Sequence, residues 1–99
     1  MNKEIEKRNK ELLYKAVLAL KTEEECEGFF GDICTFKEID SISQRIMVAK
    51  LLKDKKMYSE IVEQTGASTA TISRVSRSLL YGNGIYDIVL DRLFGDDKN

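Results

Sequence analysis

The residue types that carry most enzyme and metal chemistry are scarce in this chain of 99 residues. It has no histidine, so the commonest general base and the commonest zinc ligand are both absent. Its two cysteines, Cys26 and Cys34, form no CxxC pair, which argues against a closed zinc site. The acidic run Glu23-Glu24-Glu25 follows Thr22 at capping-box spacing and is typical of a solvated helix start. We therefore predict no enzymatic activity, no metal site and no cofactor.

A second set of residues suits contacts with DNA rather than catalysis. Small and hydroxyl-bearing side chains are concentrated from Ser68 to Ser73, where a helix is predicted to begin with Ser68 as its N-cap. Small side chains let a helix N-terminus lie deep in the major groove, where hydroxyls contact phosphates or bases and methyl groups contact thymine. Arg77 lies one turn beyond Ser73 and can reach a phosphate or a guanine.

Basic charge is concentrated in the same part of the chain. Residues 43–80 carry seven basic and three acidic side chains, a net charge of +4, whereas residues 1–42 carry −3 and residues 81–99 carry −2. The whole chain stands at −1, so only this local patch can meet a polyanion. Phosphate contacts supply most non-specific affinity for DNA, and the position of the patch therefore favours DNA binding over a merely solvated charged surface.

The spacing of glycine and apolar residues predicts a helix-turn-helix over about residues 58–80. A short helix beginning at Tyr58 meets Gly66, a residue type that often ends helices in the left-handed conformation, and a second helix runs from Thr69 to about Leu80. The inward positions of the motif, counted from Tyr58, are all apolar: Ile61, Ala67, Ile72 and Val75. An ordinary helical hairpin is the alternative that this spacing leaves open.

Helical periodicity extends over the rest of the chain, which contains no proline. Residues 4–21 are predicted to form an amphipathic helix. Its apolar face packs either within the chain or on a partner chain, and periodicity does not distinguish these two arrangements. Further helices are predicted from Thr22, from Thr35, from Ser41 or Ser43 to about Lys53, and from Ile85 to about Phe94. The last of these has apolar side chains on one face at Ile85, Ile88, Val89 and Leu93.

Together these segments predict an all-α array of short helices in a single domain over residues 1–99, with a frayed tail at residues 95–99. The longest aliphatic run, Ala16–Leu20, is too short to span a bilayer. The N-terminus lacks the apolar region of a signal peptide. We expect no membrane association, reduced thiols and a cytoplasmic location.

The run from Tyr58 to Gly82 resembles the Trp repressor superfamily, and most closely its YerC/YecD-type branch. Its most specific part is Thr65-Gly-Ala-Ser-Thr-Ala-Thr-Ile-Ser-Arg74. The resemblance covers about residues 12–94 and includes the upstream stretches Glu24-Glu25, Phe29–Thr35, Gln44-Arg45 and Val48-Ala49. It implies an intertwined, all-helical homodimer whose two helix-turn-helix units read successive major grooves of double-stranded DNA. It also implies a bacterial cytoplasmic transcription factor, most simply a repressor.

The resemblance also assigns site residues. DNA contacts of the family match Tyr58, Ser59, Ser68, Thr69, Ala70, Ser73 and Arg77. The tryptophan pocket of the family's namesake, in which two guanidinium planes stack on the indole, matches Thr35, Arg45, Arg74 and Ser78. These four are candidate effector-binding residues, and L-tryptophan is the effector that the resemblance implies.

Three departures bear on that effector. Val75 stands where the namesake has glycine, Asp32 and Cys34 stand where it has leucines, and the spacing from Arg45 to Glu60 is one residue shorter. A polar, charged lining suits an indole poorly, so another effector or none stays open. The alternative function at this point is a helical protein-interaction module that does not bind DNA.

Overall fold

The computed structural model describes residues 2–95, and six α-helices account for most of them. They are α1 Lys3–Ala19, α2 Glu23–Ile33, α3 Phe36–Lys53, α4 Tyr58–Thr65, α5 Thr69–Tyr81 and α6 Ile85–Phe94. No strand occurs among the described residues, and the predicted all-α fold is confirmed. Residues 96–99, most of the predicted tail, lie outside the described residues.

The chain divides into two compact units, Met1–Ile39 and Asp40–Asn99. The first unit contains α1, α2 and the start of α3, and no residue of α1 or α2 is buried in the described chain. Phe29 and Phe30 of α2 are half-buried, with ring centroids 5.6 Å apart in an edge-to-face arrangement. The single domain expected over residues 1–99 stays a prediction.

The hydrophobic core lies in the second unit and draws on α3, α4, α5 and α6. Its buried side chains are Val48, Ala49, Leu51, Ile61, Ala67, Ile72, Val75 and Leu90. Four half-buried side chains pack against them: Leu52, Leu79, Tyr86 and Phe94. All four inward positions predicted for the helix-turn-helix therefore belong to this core.

The prediction of two helices between Thr35 and Lys53 is wrong, because α3 is a single helix of 18 residues. Its start is as predicted: the Thr35 hydroxyl accepts from the Glu38 amide at 3.1 Å, and the Glu38 carboxylate accepts from the Thr35 amide at 2.8 Å. The hydrogen bond from the Thr35 amide also lowers the pKa of Glu38. Ser43 starts no new helix, because its hydroxyl donates to the Asp40 carbonyl one turn back.

The apolar face predicted for the last helix is not the side that packs on the core. Ile85, Ile88, Val89 and Leu93 are all exposed in the chain, whereas Leu90 is buried and Tyr86 and Phe94 pack beside it. Apolar residues cover most of the circumference of α6, so periodicity alone could not select the inner side.

Helix α3 ends in a Schellman motif. The amide of Lys56 donates to the Leu51 carbonyl and that of Lys55 to the Leu52 carbonyl, both at 3.0 Å. Lys55 has a φ of 65°, the left-handed region that favours glycine. A non-glycine residue is therefore strained at this connection.

Lys55→Gly is expected to raise the free energy of unfolding by about 0.5–1 kcal/mol, because glycine relieves the left-handed strain at a cost in chain entropy. Urea denaturation checks this, with Lys56→Gly as the control that loses the same charge at the next residue. A Lys55→Gly variant less stable than the parent chain would contradict it.

Candidate nucleic-acid interface

Helices α4 and α5 and the three residues between them form the predicted helix-turn-helix. Helix α4 ends at Gly66, whose φ of 73° places it in the left-handed region, and its amide donates to the Val62 carbonyl at 2.8 Å. The following residue, Ala67, is 2% exposed and inserts into the core beneath the turn. The turn glycine and the inward alanine thus have the conformation and burial that the motif requires.

Ser68 caps α5 as predicted. Its hydroxyl oxygen accepts from the Thr71 amide at 3.1 Å and its hydroxyl group donates to the Thr71 hydroxyl at 3.1 Å. This satisfies one of the amides that a helix N-terminus leaves without an intrahelical partner. The remaining amides of the first turn, with the positive end of the helix dipole, favour an anion such as a phosphate.

At the other end, α5 runs to Tyr81, and Gly82 is its C-cap residue. A Cβ atom at Gly82 would lie 2.4 Å from the Ser78 carbonyl oxygen, so only glycine fits there without a backbone shift.

All seven residues predicted to contact DNA have exposed side chains. Tyr58 and Ser59 form the first turn of α4, and Ser68 is the N-cap of α5. The other four lie within about one quarter of the circumference of α5, because helical periodicity groups positions 69, 70, 73 and 77 on one side. They are Thr69, Ala70, Ser73 and Arg77. The structure therefore leaves one side of α5 small, hydroxyl-rich and open, ending in a guanidinium group.

The basic residues of this segment fall into two groups. The Lys50 Nζ lies 2.9 Å from an Asp54 carboxylate oxygen and 4.5 Å from the centroid of the Phe94 ring. The Lys53 Nζ lies 2.6 Å from an Asp87 carboxylate oxygen. The hydrogen bond to Asp87 raises the pKa of Lys53. Within residues 2–95 the other five, all exposed, have no ion pair: Arg45, Lys55, Lys56, Arg74 and Arg77. These five charges are available for an external polyanion.

Sequence reasoning counted these charges but missed which of them are neutralised. The Lys53–Asp87 pair joins the end of α3 to α6 across 34 positions of sequence, and no local spacing rule reports such a pair. It also missed Gln44 of α3, whose side-chain amide donates to the Thr65 carbonyl at the end of α4, at 3.1 Å.

The candidate effector-binding residues are placed as follows. Arg45 lies on α3, while Arg74 and Ser78 lie one turn apart on α5, and all three are exposed. Thr35 belongs to the first unit, where its hydroxyl already accepts from the Glu38 amide. Val75, which stands where the family's namesake has glycine, is 3% exposed and directed into the core.

The described residues 2–95 contain no group of three or more histidine, cysteine, aspartate or glutamate side chains that could hold a metal ion. In the same stretch, none of the helices combines the length and the hydropathy that a bilayer-spanning segment needs.

Comparison with known proteins decides the family. The family model of the Trp repressor protein matches residues 8–94. The chain belongs to the Trp repressor family. The protein YerC of Bacillus subtilis (strain 168), which is uncharacterized, is 52% identical over 88 residues, 87% of this chain and 85% of YerC. The resemblance seen in the sequence is thereby confirmed.

Two solved structures of this family are similar over most of their length. A TrpR-like protein from Eubacterium eligens ATCC 27750 superposes with a TM-score of 0.86 at 52% identity, covering 93% of this chain and 95% of that protein. A candidate Trp repressor from Staphylococcus aureus superposes with a TM-score of 0.85 at 48% identity and the same coverage. The Trp repressor family is a family of regulators and not of enzymes, which agrees with the prediction of no enzymatic activity.

Proposed function

We propose that this Trp repressor family member is a sequence-specific, DNA-binding transcriptional regulator, most simply a repressor in a bacterial cytoplasm. One observation carries the proposal. The open side of α5 ends in Arg77 and lies within residues 43–80, a segment with four further basic side chains that have no ion pair in the described chain. Small side chains that can enter a groove and free cations that can bind phosphates are the two requirements of a major-groove reader.

In this proposal α5 enters the major groove with its N-terminal turn first. Thr69, Ala70 and Ser73 meet base edges, with methyl groups against thymine and hydroxyls as donors or acceptors. Tyr58, Ser59 and Ser68 contact the phosphate backbone on either side, and Arg77 reaches a phosphate or a guanine. Base contacts then set the sequence preference, whereas phosphate contacts set most of the affinity.

We further propose that the protein acts as a homodimer. Apolar side chains are exposed along α1, including Leu12 at 68% and Leu18 at 84%, and along α6, including Ile85 and Leu93. Exposed apolar surface of this extent is typical of an interface between chains. A two-fold dimer would place its two copies of α5 in successive major grooves, with half-sites about one helical turn apart. Bound over a promoter, it would exclude the transcription machinery.

Four side chains are proposed to bind an effector. Arg45, Arg74, Ser78 and Thr35 are the candidate effector-binding residues, and paired guanidinium groups suit a planar ring bearing a carboxylate. Val75, which stands where the family's namesake has glycine, is buried in the core, and this departure favours an effector other than L-tryptophan or none.

Fluorescence anisotropy with a labelled duplex of mixed sequence distinguishes this proposal from its alternative. A DNA-binding regulator binds the duplex at low salt. The logarithm of its dissociation constant then rises linearly with the logarithm of the salt concentration. A helical protein-interaction module would show negligible binding even at low salt, where phosphate contacts are strongest. That second result would exclude the proposed function.

Lys56→Gln is expected to weaken binding to all duplexes alike and to reduce the salt slope by about 0.9 per phosphate that the chain no longer neutralises. Lys56 is exposed, has no ion pair in the described chain, and lies two residues before Tyr58, where the motif begins. Lys10→Gln on α1 makes the same charge change outside the basic segment and is the control. An unchanged slope in Lys56→Gln would show that Lys56 does not bind a phosphate.

A further inference from the structure

The end of α4 is held by an unusual set of side-chain hydrogen bonds around Thr65. The Thr65 hydroxyl donates to the Ile61 carbonyl at 2.7 Å and accepts from the Ala67 amide at 3.1 Å. The Ile61 carbonyl lies one turn before the end of α4, and a threonine hydroxyl commonly donates to the carbonyl at this spacing. Thr65 thus ties the last turn of α4 to the residue that enters the core.

Gln44 supplies the donor for the Thr65 carbonyl. Its side-chain amide nitrogen lies 3.1 Å from that oxygen, in a half-buried position on α3. The same nitrogen lies 3.9 Å from the place where a Cβ atom would stand on Gly66, so the amide also covers the turn glycine. A residue 21 positions upstream therefore holds the backbone on which the direction of α5 depends.

The two sides of the turn are held differently. Ala67 anchors it to the core through apolar burial, which is non-directional. Gln44 anchors it through a hydrogen bond whose strength falls steeply when the donor is misaligned. Of these two anchors, the hydrogen bond is the directional one.

We propose that Gln44 is a positioning residue for DNA recognition: it fixes the α4–α5 turn and thereby the approach of α5 to the groove. The proposal rests on the proposed DNA-binding function. Gln44 itself touches the turn and is not required to touch DNA. Its loss should therefore reduce sequence-specific affinity, which needs α5 in register with base edges, more than non-specific affinity, which needs only charge.

The test compares Gln44→Met with Gln64→Met in the full chain. Methionine keeps the length of glutamine but cannot donate the hydrogen bond. Gln64 lies in α4 and lines the same shallow surface groove as Gln44, together with Asp40, Ser43, Met47 and Thr65. It is exposed and makes no side-chain hydrogen bond among those described for residues 2–95, so it is a matched control.

Three quantities are measured on each variant: affinity for a selected duplex, affinity for a scrambled duplex, and hydrogen exchange of the Gly66 and Ala67 amides. For Gln44→Met we expect about 10-fold weaker specific binding, about 2-fold or less change in scrambled binding, an unchanged salt slope and faster exchange at both amides. Gln64→Met should leave all of these unchanged.

Several results would overturn the proposal. Unchanged affinity of Gln44→Met for the selected duplex would do so. An equal loss of affinity for both duplexes, together with a lower melting temperature of the variant protein, would also do so, because it indicates general destabilisation. If the parent chain selects no DNA sequence, the proposed function fails and with it the recognition role of Gln44. The hydrogen-exchange measurement then still decides whether Gln44 fixes the turn. Unchanged exchange rates of the Gly66 and Ala67 amides in Gln44→Met would refute that structural role.

Discussion

Ala70→Glu is expected to lower affinity for DNA by about 100-fold or more without destabilising the fold. Ala70 is an exposed residue of the first turn of α5, two positions after the N-cap Ser68. A carboxylate there interacts favourably with the helix dipole, a gain of about 0.3–1 kcal/mol. If α5 enters the major groove, the same carboxylate would face the DNA phosphates. Repulsion between these negative charges and the added length of the side chain would both oppose docking of α5.

The opposite signs of these two effects make the variant informative. Fluorescence anisotropy measures the DNA affinity, and urea denaturation measures the free energy of unfolding. Ala70→Gln is the control, because it adds the same length without the charge and should lose less affinity. DNA binding that survives in Ala70→Glu would show that this side of α5 is not the groove-entering surface.

Ile61→Ala is expected to lower the free energy of unfolding by about 2–5 kcal/mol. Ile61 is fully buried beneath the helix-turn-helix, in a core of eight buried side chains, so truncation leaves a cavity that the small unit can close only in part. In a domain of this size that is a large share of the total stability.

The neighbouring residue provides the control for this change. Val62 follows Ile61 on α4 but is 38% exposed, and Val62→Ala should cost less than about 1 kcal/mol. Both variants are compared by urea denaturation at one protein concentration, because the stability of the proposed homodimer would depend on concentration. Equal losses in the two variants would contradict the core described for this motif.

The features that the sequence predicted well are local ones. Gly66, Ser68 and the inward apolar positions lie within one stretch of chain, and their spacing is set by helix geometry and the tight turn. Family resemblance extended that stretch to nearly the whole chain. The capping box of Thr35 and Glu38 was equally visible, since its two hydrogen bonds span only three positions.

The features that it missed depend on distant partners or on ambiguous patterns. Ser43 has the chemistry of a helix cap but donates to Asp40 inside a continuous helix, and a serine's type does not reveal which role it takes. The contacts of Gln44 with Thr65 and of Lys53 with Asp87 join positions far apart in sequence. Such contacts follow from tertiary packing and have no local signature.

The most direct test of the central claim is selection of duplexes from a randomised pool by the purified full chain at near-physiological salt, with and without L-tryptophan. We predict enrichment of a two-fold symmetric motif with half-sites about one helical turn apart, in both arms. Enrichment only with L-tryptophan would keep the regulator but overturn the argument from Val75. A pool that stays random in both arms, with no binding at low salt, would contradict DNA recognition by α5.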